Sequence, residues 1–110
     1  MKMKSKLLLI AGIIVAAGSL AAADVKENWE KHCAKCHGSD GKGDTKMGKK
    51  LSVKDYTDAK VQAAMKDDEM FKATKEGVKE GDKTKMKAFK ADLTDDEIKA
   101  LMAYVRAFKK

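Results

Sequence analysis

The sequence predicts an all-α fold, one small domain of three to four helices, and three observations carry that prediction. The run Thr94-Asp95-Asp96-Glu97 has the form of a capping box, and Ile98, Leu101, Met102 and Val105 follow it at helical spacing, in a stretch that continues to Phe108. Upstream, Val25 and Trp29 stand four residues apart, on one side of a first helix running from about Val25 to Cys36. No stretch of the chain reads convincingly as a strand.

The remaining elements follow in order. Two short helices are expected, at about Asp58 to Met65 and Asp68 to Glu76, the second with Asp67 as its cap and Gly77 as its stop. The segment from Ser39 to Tyr56 is rich in glycine and lysine and is expected to be a loop. With its acidic first turn and its apolar stripe, the last helix is the strongest local folding unit.

Composition narrows the class. The 110 residues are 44% hydrophobic but only 5% aromatic, with no proline, two cysteines, and 24 Lys+Arg against 17 Asp+Glu. This is room for one domain, and the cysteine and proline counts exclude a disulfide-dense scaffold and a collagen-like or proline-rich chain. Much of the apolar material lies at the N-terminus. Lys2, Lys4 and Lys6 precede the apolar run Leu7 to Ala17, and Ala21-Ala22-Ala23 has the small residues of a cleavage site. Residues 1–23 therefore read as a cleaved export signal, too short in its apolar run for the roughly 20 residues of a bilayer span. The mature domain is expected at 24–110. Removal of 23 residues leaves 87 and, because three lysines leave with no acid, lowers the formal charge from +7 to +4. The expected location is periplasmic or otherwise outside the cytoplasm, with no membrane span after cleavage.

So small a domain buries only about 60 to 65% of its unfolded surface and needs a staple. A Cys33–Cys36 disulfide closes too short a loop to constrain the unfolded chain, and a structural zinc site lacks a second ligand cluster. The run Cys33-Ala34-Lys35-Cys36-His37 is instead a C-x-x-C-H motif, the attachment signature of c-type haem. On a helix end, positions i, i+3 and i+4 share a face, so two thiols can meet the vinyl groups along one porphyrin edge while His37 reaches the iron. A dithiol redox site would want a βαβ context, which is missing. His32 points elsewhere on the helix and reads as a surface residue.

With Trp29 to Gly38 reading W-E-K-H-C-A-K-C-H-G and Met86 to Phe108 reading M-K-A-F-K-A-D-L-T-D-D-E-I-K-A-L-M-A-Y-V-R-A-F, the chain from Asp24 to Lys110 resembles the class I c-type cytochromes, in their small bacterial single-haem forms similar to cytochromes c6, c551 and c553. The resemblance implies a cytochrome c fold, with three to four helices around one covalently attached haem. It also implies that the first and last helices cross, with Trp29 and either Tyr104 or Phe108 near the contact.

Five methionines follow the signal. Met102 lies on the apolar stripe of the last helix, and Met65 and Met70 fit packing positions in the short helices. Met47 is only ten residues past His37. Met86, among Lys83, Lys85 and Lys87, has no helical period and no evident packing partner, and the resemblance points to the same residue as the second axial ligand. The family commonly has proline after that methionine. Lys87 stands there instead, so a labile Met86–iron bond is expected, with Lys85 or Lys87 replacing it at alkaline pH. For want of a proline carbonyl, one between Thr45 and Ser52 is expected to orient His37.

Haem c iron held by His37 and Met86 has no open position for substrate, so the expected activity is one-electron transfer between redox proteins, with no catalytic residues and no enzyme activity. Two basic stretches, Lys42, Lys46, Lys49 and Lys50, and Lys83, Lys85, Lys87 and Lys90, could border the haem edge and favour acidic docking surfaces, although Asp40, Asp44 and Asp82 interleave them. No nucleic-acid partner is expected, and the chain reads as a monomer. The alternatives are a haem subunit of a larger oxidoreductase complex, or a five-coordinate haem enzyme or sensor if Met86 is not a ligand.

Overall fold

The computed structural model describes residues 24–110. The expected signal, residues 1–23, lies outside the described residues. Helix α1 covers 24–37; it is α-helical at 24–28, π-helical over Trp29–Cys33 and α-helical again over Ala34–His37. It is followed by α2 (Lys46–Leu51), α3 (Ala59–Ala64) and α4 (Asp67–Glu76). A hairpin of β1 (Val78–Glu80) and β2 (Lys83–Met86) then leads to α5 (Asp95–Arg106).

The predicted all-α architecture is present, with one helix more than the three to four expected, and with one two-stranded hairpin where no strand was expected. The extra helix is α2, inside the segment expected to be loop. Its start is made by Thr45, whose hydroxyl accepts the Gly48 amide at 2.8 Å and donates to the Cys36 carbonyl at 2.8 Å. The hairpin turns through Gly81-Asp82, and Gly81 takes the positive φ of 63° that such a turn requires. Its first strand is solvent-exposed throughout, so it carries no alternation of apolar and polar residues to read.

The core is one cluster: Trp29, Cys33, Phe89, Leu93, Ile98, Leu101 and Val105. Three of these come from the predicted stripe of α5. α1 meets α5 and the residues just after it through aromatics, with the Trp29 ring 5.5 Å from Tyr104 and 5.1 Å from Phe108. Both candidate aromatics therefore meet the tryptophan. Phe108 in turn covers Gly41, where a Cβ would come to 2.6 Å from the ring; only glycine lets the loop after α1 lie that close.

The capping box at α5 is complete. The Thr94 hydroxyl accepts the Glu97 amide at 3.1 Å, and the Glu97 carboxylate accepts the Thr94 amide at 2.8 Å and an Asn28 side-chain N–H at 3.3 Å. The cap thus ties the start of α5 to α1. The Thr94 backbone bond, followed by the Asn28 bond, holds the Glu97 carboxyl below its ordinary value. Its contribution to stability is therefore present above the unfolded carboxyl value near 4.3 and is lost as pH falls through the lower folded value.

Thr94→Ala should lower the unfolding free energy by about 1 kcal/mol in denaturant titrations. Glu97→Gln should destabilise at neutral pH and converge on the wild type as pH drops below about 4.

Candidate functional site

The site forms where α1 ends. The π-helical segment closes with the Ala34 amide donating to the Trp29 carbonyl, so Cys33 sits at the junction between the wide and the regular turn, and Cys36 and His37 occupy the last α-helical turn. Gly38, at φ 81°, stops the helix, and Trp29 Nε1 donates to its carbonyl at 3.0 Å. The cysteines and the imidazole are thereby held on a helix end whose final turn is fastened to the core tryptophan.

They open on a cleft with two lobes, of about 290 Å³ and 550 Å³. Six residues line both lobes: Cys33, His37, Lys54, Tyr56, Ala73 and Met86. Cys36 lines the larger lobe. All four sequence-predicted site residues therefore border one cleft. The other methionines are also there: Met65, Met70 and Met102 on the smaller lobe, Met47 on the larger. Met86 alone of the five borders both.

His37 lies between two aromatics, 5.8 Å from the Trp29 ring and stacked on Tyr56 at 5.1 Å with an interplanar angle of 20°. Burial holds the imidazole below its ordinary value, which keeps it neutral near pH 7 and leaves a lone pair for a metal. Its Nδ1 is buried with no hydrogen-bond partner. The expected carbonyl between Thr45 and Ser52 is therefore not found. Those residues are mostly in α2, where the Thr45 carbonyl accepts Lys49 N–H, the Gly48 carbonyl accepts Val53 N–H and the Lys49 carbonyl accepts Ser52 N–H. Burial, and then the neighbouring Cys36, push the Cys33 thiol up to about 12, the opposite of the lowered thiol that a dithiol catalyst needs. Cys33 and Cys36 are not joined to each other. A neutral, half-buried imidazole and a thioether bordering one apolar cleft make a nitrogen and sulfur donor pair suited to haem iron, with two thiols beside them for the porphyrin's vinyl groups. Among the described residues no three of His, Cys, Asp and Glu gather into a separate metal cluster.

Two groups of the cleft wall were not legible in the sequence. Tyr56, stacked on His37, is held by Gln62, a buried residue of α3 whose amide donates to the Tyr56 carbonyl at 2.7 Å and to the Val105 carbonyl at 2.8 Å. Arg106 completes this tie. Its Nη1 donates to the Gln62 carbonyl and to Gln62 Oε1, and its Nη2 to the Met65 carbonyl and Asp67 Oδ1, both at 2.8 Å. His32 is half-buried, edge-on to Phe89 at 5.4 Å, and lines the larger lobe rather than standing free on the surface.

A helical fold closed around an apolar cleft, with a C-x-x-C-H run at its mouth, defines a small class I-like c-type cytochrome. The family model described as "Cytochrome C oxidase, cbb3-type, subunit III" matches residues 20–105, and the chain belongs to this cytochrome c family. Among solved structures it is similar to the KustC0563 c-type cytochrome, with 36% identity over 77% of this chain and 96% of that one and a TM-score of 0.69. A tyrosine-to-phenylalanine mutant of Kustc0563 matches with 36% identity over 78% and 99% of the two chains and a TM-score of 0.68. No curated protein matches the chain significantly. The chain is thus an electron-transfer haem protein with covalently bound haem c, and it works with redox partners. No helix among the described residues is long and apolar enough to cross a membrane.

Gln62→Leu strands the Tyr56 and Val105 carbonyls and one Arg106 donor, and should cost about 1–3 kcal/mol of stability, read as a lower denaturant midpoint at unchanged m-value.

Proposed function

We propose that the chain carries single electrons between redox proteins through one haem, joined to Cys33 and Cys36 by thioether bonds and held by His37 and Met86 as axial ligands. The observation that carries this reading is that His37 and Met86 both border both lobes of one cleft, together with Cys33, whereas each of the other four methionines borders only one lobe. Haem iron, when bound, supplies a reversible one-electron change. The residues here set its surroundings. His37 offers a neutral imidazole, Met86 a soft thioether that favours the reduced state, and the apolar wall of Leu101, Val105 and Phe89 excludes water, which also favours the less charged iron. With two side chains on the iron, no position is left for a substrate, which supports a carrier rather than an enzyme or sensor.

We read residues 1–23 as a cleaved export signal and 24–110 as the working domain, a monomer outside the cytoplasm. Lys35, Lys54, Lys85 and Lys87 line the larger lobe, the one that also holds Cys36. This basic rim favours an acidic docking surface on the partner. Lys87 is partly occupied, 3.4 Å from Asp92 and over the Phe89 ring at 5.1 Å, so Lys85 is the freer of the two lysines proposed to replace Met86 at alkaline pH. A haem subunit of a larger oxidoreductase is the second reading, favoured by the oxidase-subunit description of the family.

The reduced wild-type holoprotein should bind carbon monoxide poorly, and the oxidised form should show the methionine-to-iron charge-transfer band. Met86→Ala should lose the band and bind carbon monoxide readily; persistence of the band would sink the ligand assignment. Electron transfer to an acidic partner should slow as ionic strength rises from about 0.01 to 0.15 M, where the screening length falls from about 30 to 8 Å. A rate indifferent to salt would count against the basic rim.

A further inference from the structure

We propose that Gly77 is a positioning residue for Met86, doing by close backbone packing what proline after the methionine does by fixing a dihedral angle. The proposal rests on Met86 being the iron ligand. Gly77 ends α4 at φ 83°, with its amide donating to the Ala73 carbonyl at 2.9 Å. A Cβ at Gly77 would come to 2.8 Å from the Met86 carbonyl oxygen, 2.8 Å from the Ala88 nitrogen and 3.1 Å from the Lys87 carbonyl carbon. All three are main-chain atoms, so no side-chain rotation can make room. The backbone on the C-terminal side of Met86 is therefore seated directly against the bare α-carbon of residue 77.

The rest of the hairpin base is pinned as well. Beyond Met86, the Phe89 amide donates to the Thr74 carbonyl at 3.0 Å and the Lys90 amide to the Lys75 carbonyl at 3.2 Å, which fastens the outgoing chain to the last turn of α4. Within the hairpin Val78 faces Met86 while Lys79 faces Thr84, so Lys85 is the additional residue of a bulge next to the methionine. Met86 is thus paired with Val78 beside the bulge and the chain beyond it is fastened to α4, with Gly77 between the two attachments. The missing proline removes one restraint on the Met86 bond. This packing supplies a restraint that proline counting does not see.

Gly81 provides an internal control. It also has a positive φ, 63°, but a Cβ there would meet nothing within 4 Å. Both Gly77→Ala and Gly81→Ala put a side chain at positive φ, the penalty being larger at Gly77, whose ψ of 176° is a conformation essentially reserved for glycine, and only the first pushes on Met86.

The test compares Gly77→Ala, Gly81→Ala and Met86→Ala as holoproteins matured in a haem-attaching host. In Gly77→Ala the methionine-to-iron band should weaken or vanish and carbon monoxide should combine with the reduced protein about tenfold faster than with wild type. Gly81→Ala should melt at a lower temperature yet keep both readouts within about twofold of wild type. Gly77→Ala with wild-type values, or Gly81→Ala matching Gly77→Ala, overturns the proposal. If Met86→Ala keeps the band, the ligand reading falls and this proposal with it; if Met86→Ala loses the band while Gly77→Ala keeps it, only the positioning role falls. Should Gly77→Ala yield no folded holoprotein, amide exchange in the wild type decides: the Phe89 and Lys90 amides should exchange about tenfold or more slowly than Asp82 at the hairpin tip, and equal rates overturn the proposal.

Discussion

The structure depends first on one side chain, Trp29. It is 2% exposed, and its indole N–H is satisfied by the Gly38 carbonyl, so a large apolar surface is buried without stranding its polar atom. Burial of such a ring contributes about 2–3 kcal/mol and its hydrogen bond about 1 kcal/mol. The connections it makes matter more than that sum. The same ring touches Tyr104 and Phe108 of the C-terminal segment, stands beside His37, and ties off the turn that carries Cys36 and His37. Packing of the first helix on the last, and aim of the imidazole, are therefore one constraint rather than two.

A second tie works from the opposite side of the cleft. Tyr56 closes the other face of His37, and its backbone is fixed by Gln62, which Arg106 fixes in turn to the last turn of α5. The same α5 that meets Trp29 at Tyr104 thus reaches His37 a second time, through a polar route of part-buried hydrogen bonds. Because every bond in that route is made to a backbone carbonyl or a paired side chain, it positions the tyrosine without leaving a buried polar group unsatisfied.

What could be read in the sequence was whatever is encoded locally. The capping box Thr94 to Glu97, the stripe of α5, the helix bearing Trp29 and the C-x-x-C-H run all announce themselves within a few turns of chain, and the motif carries the family with it. Helix α2 escapes such a reading because it has no apolar period; a threonine cap and a contact with Cys36 make it a helix. The hairpin escapes it because its strands are polar and exposed, although Gly81-Asp82 between Val78-Lys-Glu and Lys-Thr-Lys-Met is the signal to weigh. Gln62 has no signal at all, since a glutamine becomes a buried tie only when three separate elements converge on it. The orienting carbonyl expected for His37 fails for a related reason: the segment that was to supply it is mostly helix, with the Thr45, Gly48 and Lys49 carbonyls taken by backbone amides.

The hairpin also divides the labour of conserving and of changing. Its base is crowded by backbone, while at its tip a side chain at Gly81 would stand in open space. Substitutions, charges or extra residues at the tip therefore leave the cleft undisturbed, as loop tips generally allow. Evolution can rewrite the tip's length and charge to suit a new redox companion without renegotiating the geometry beneath it, and divergence between lineages of this domain should accumulate there first.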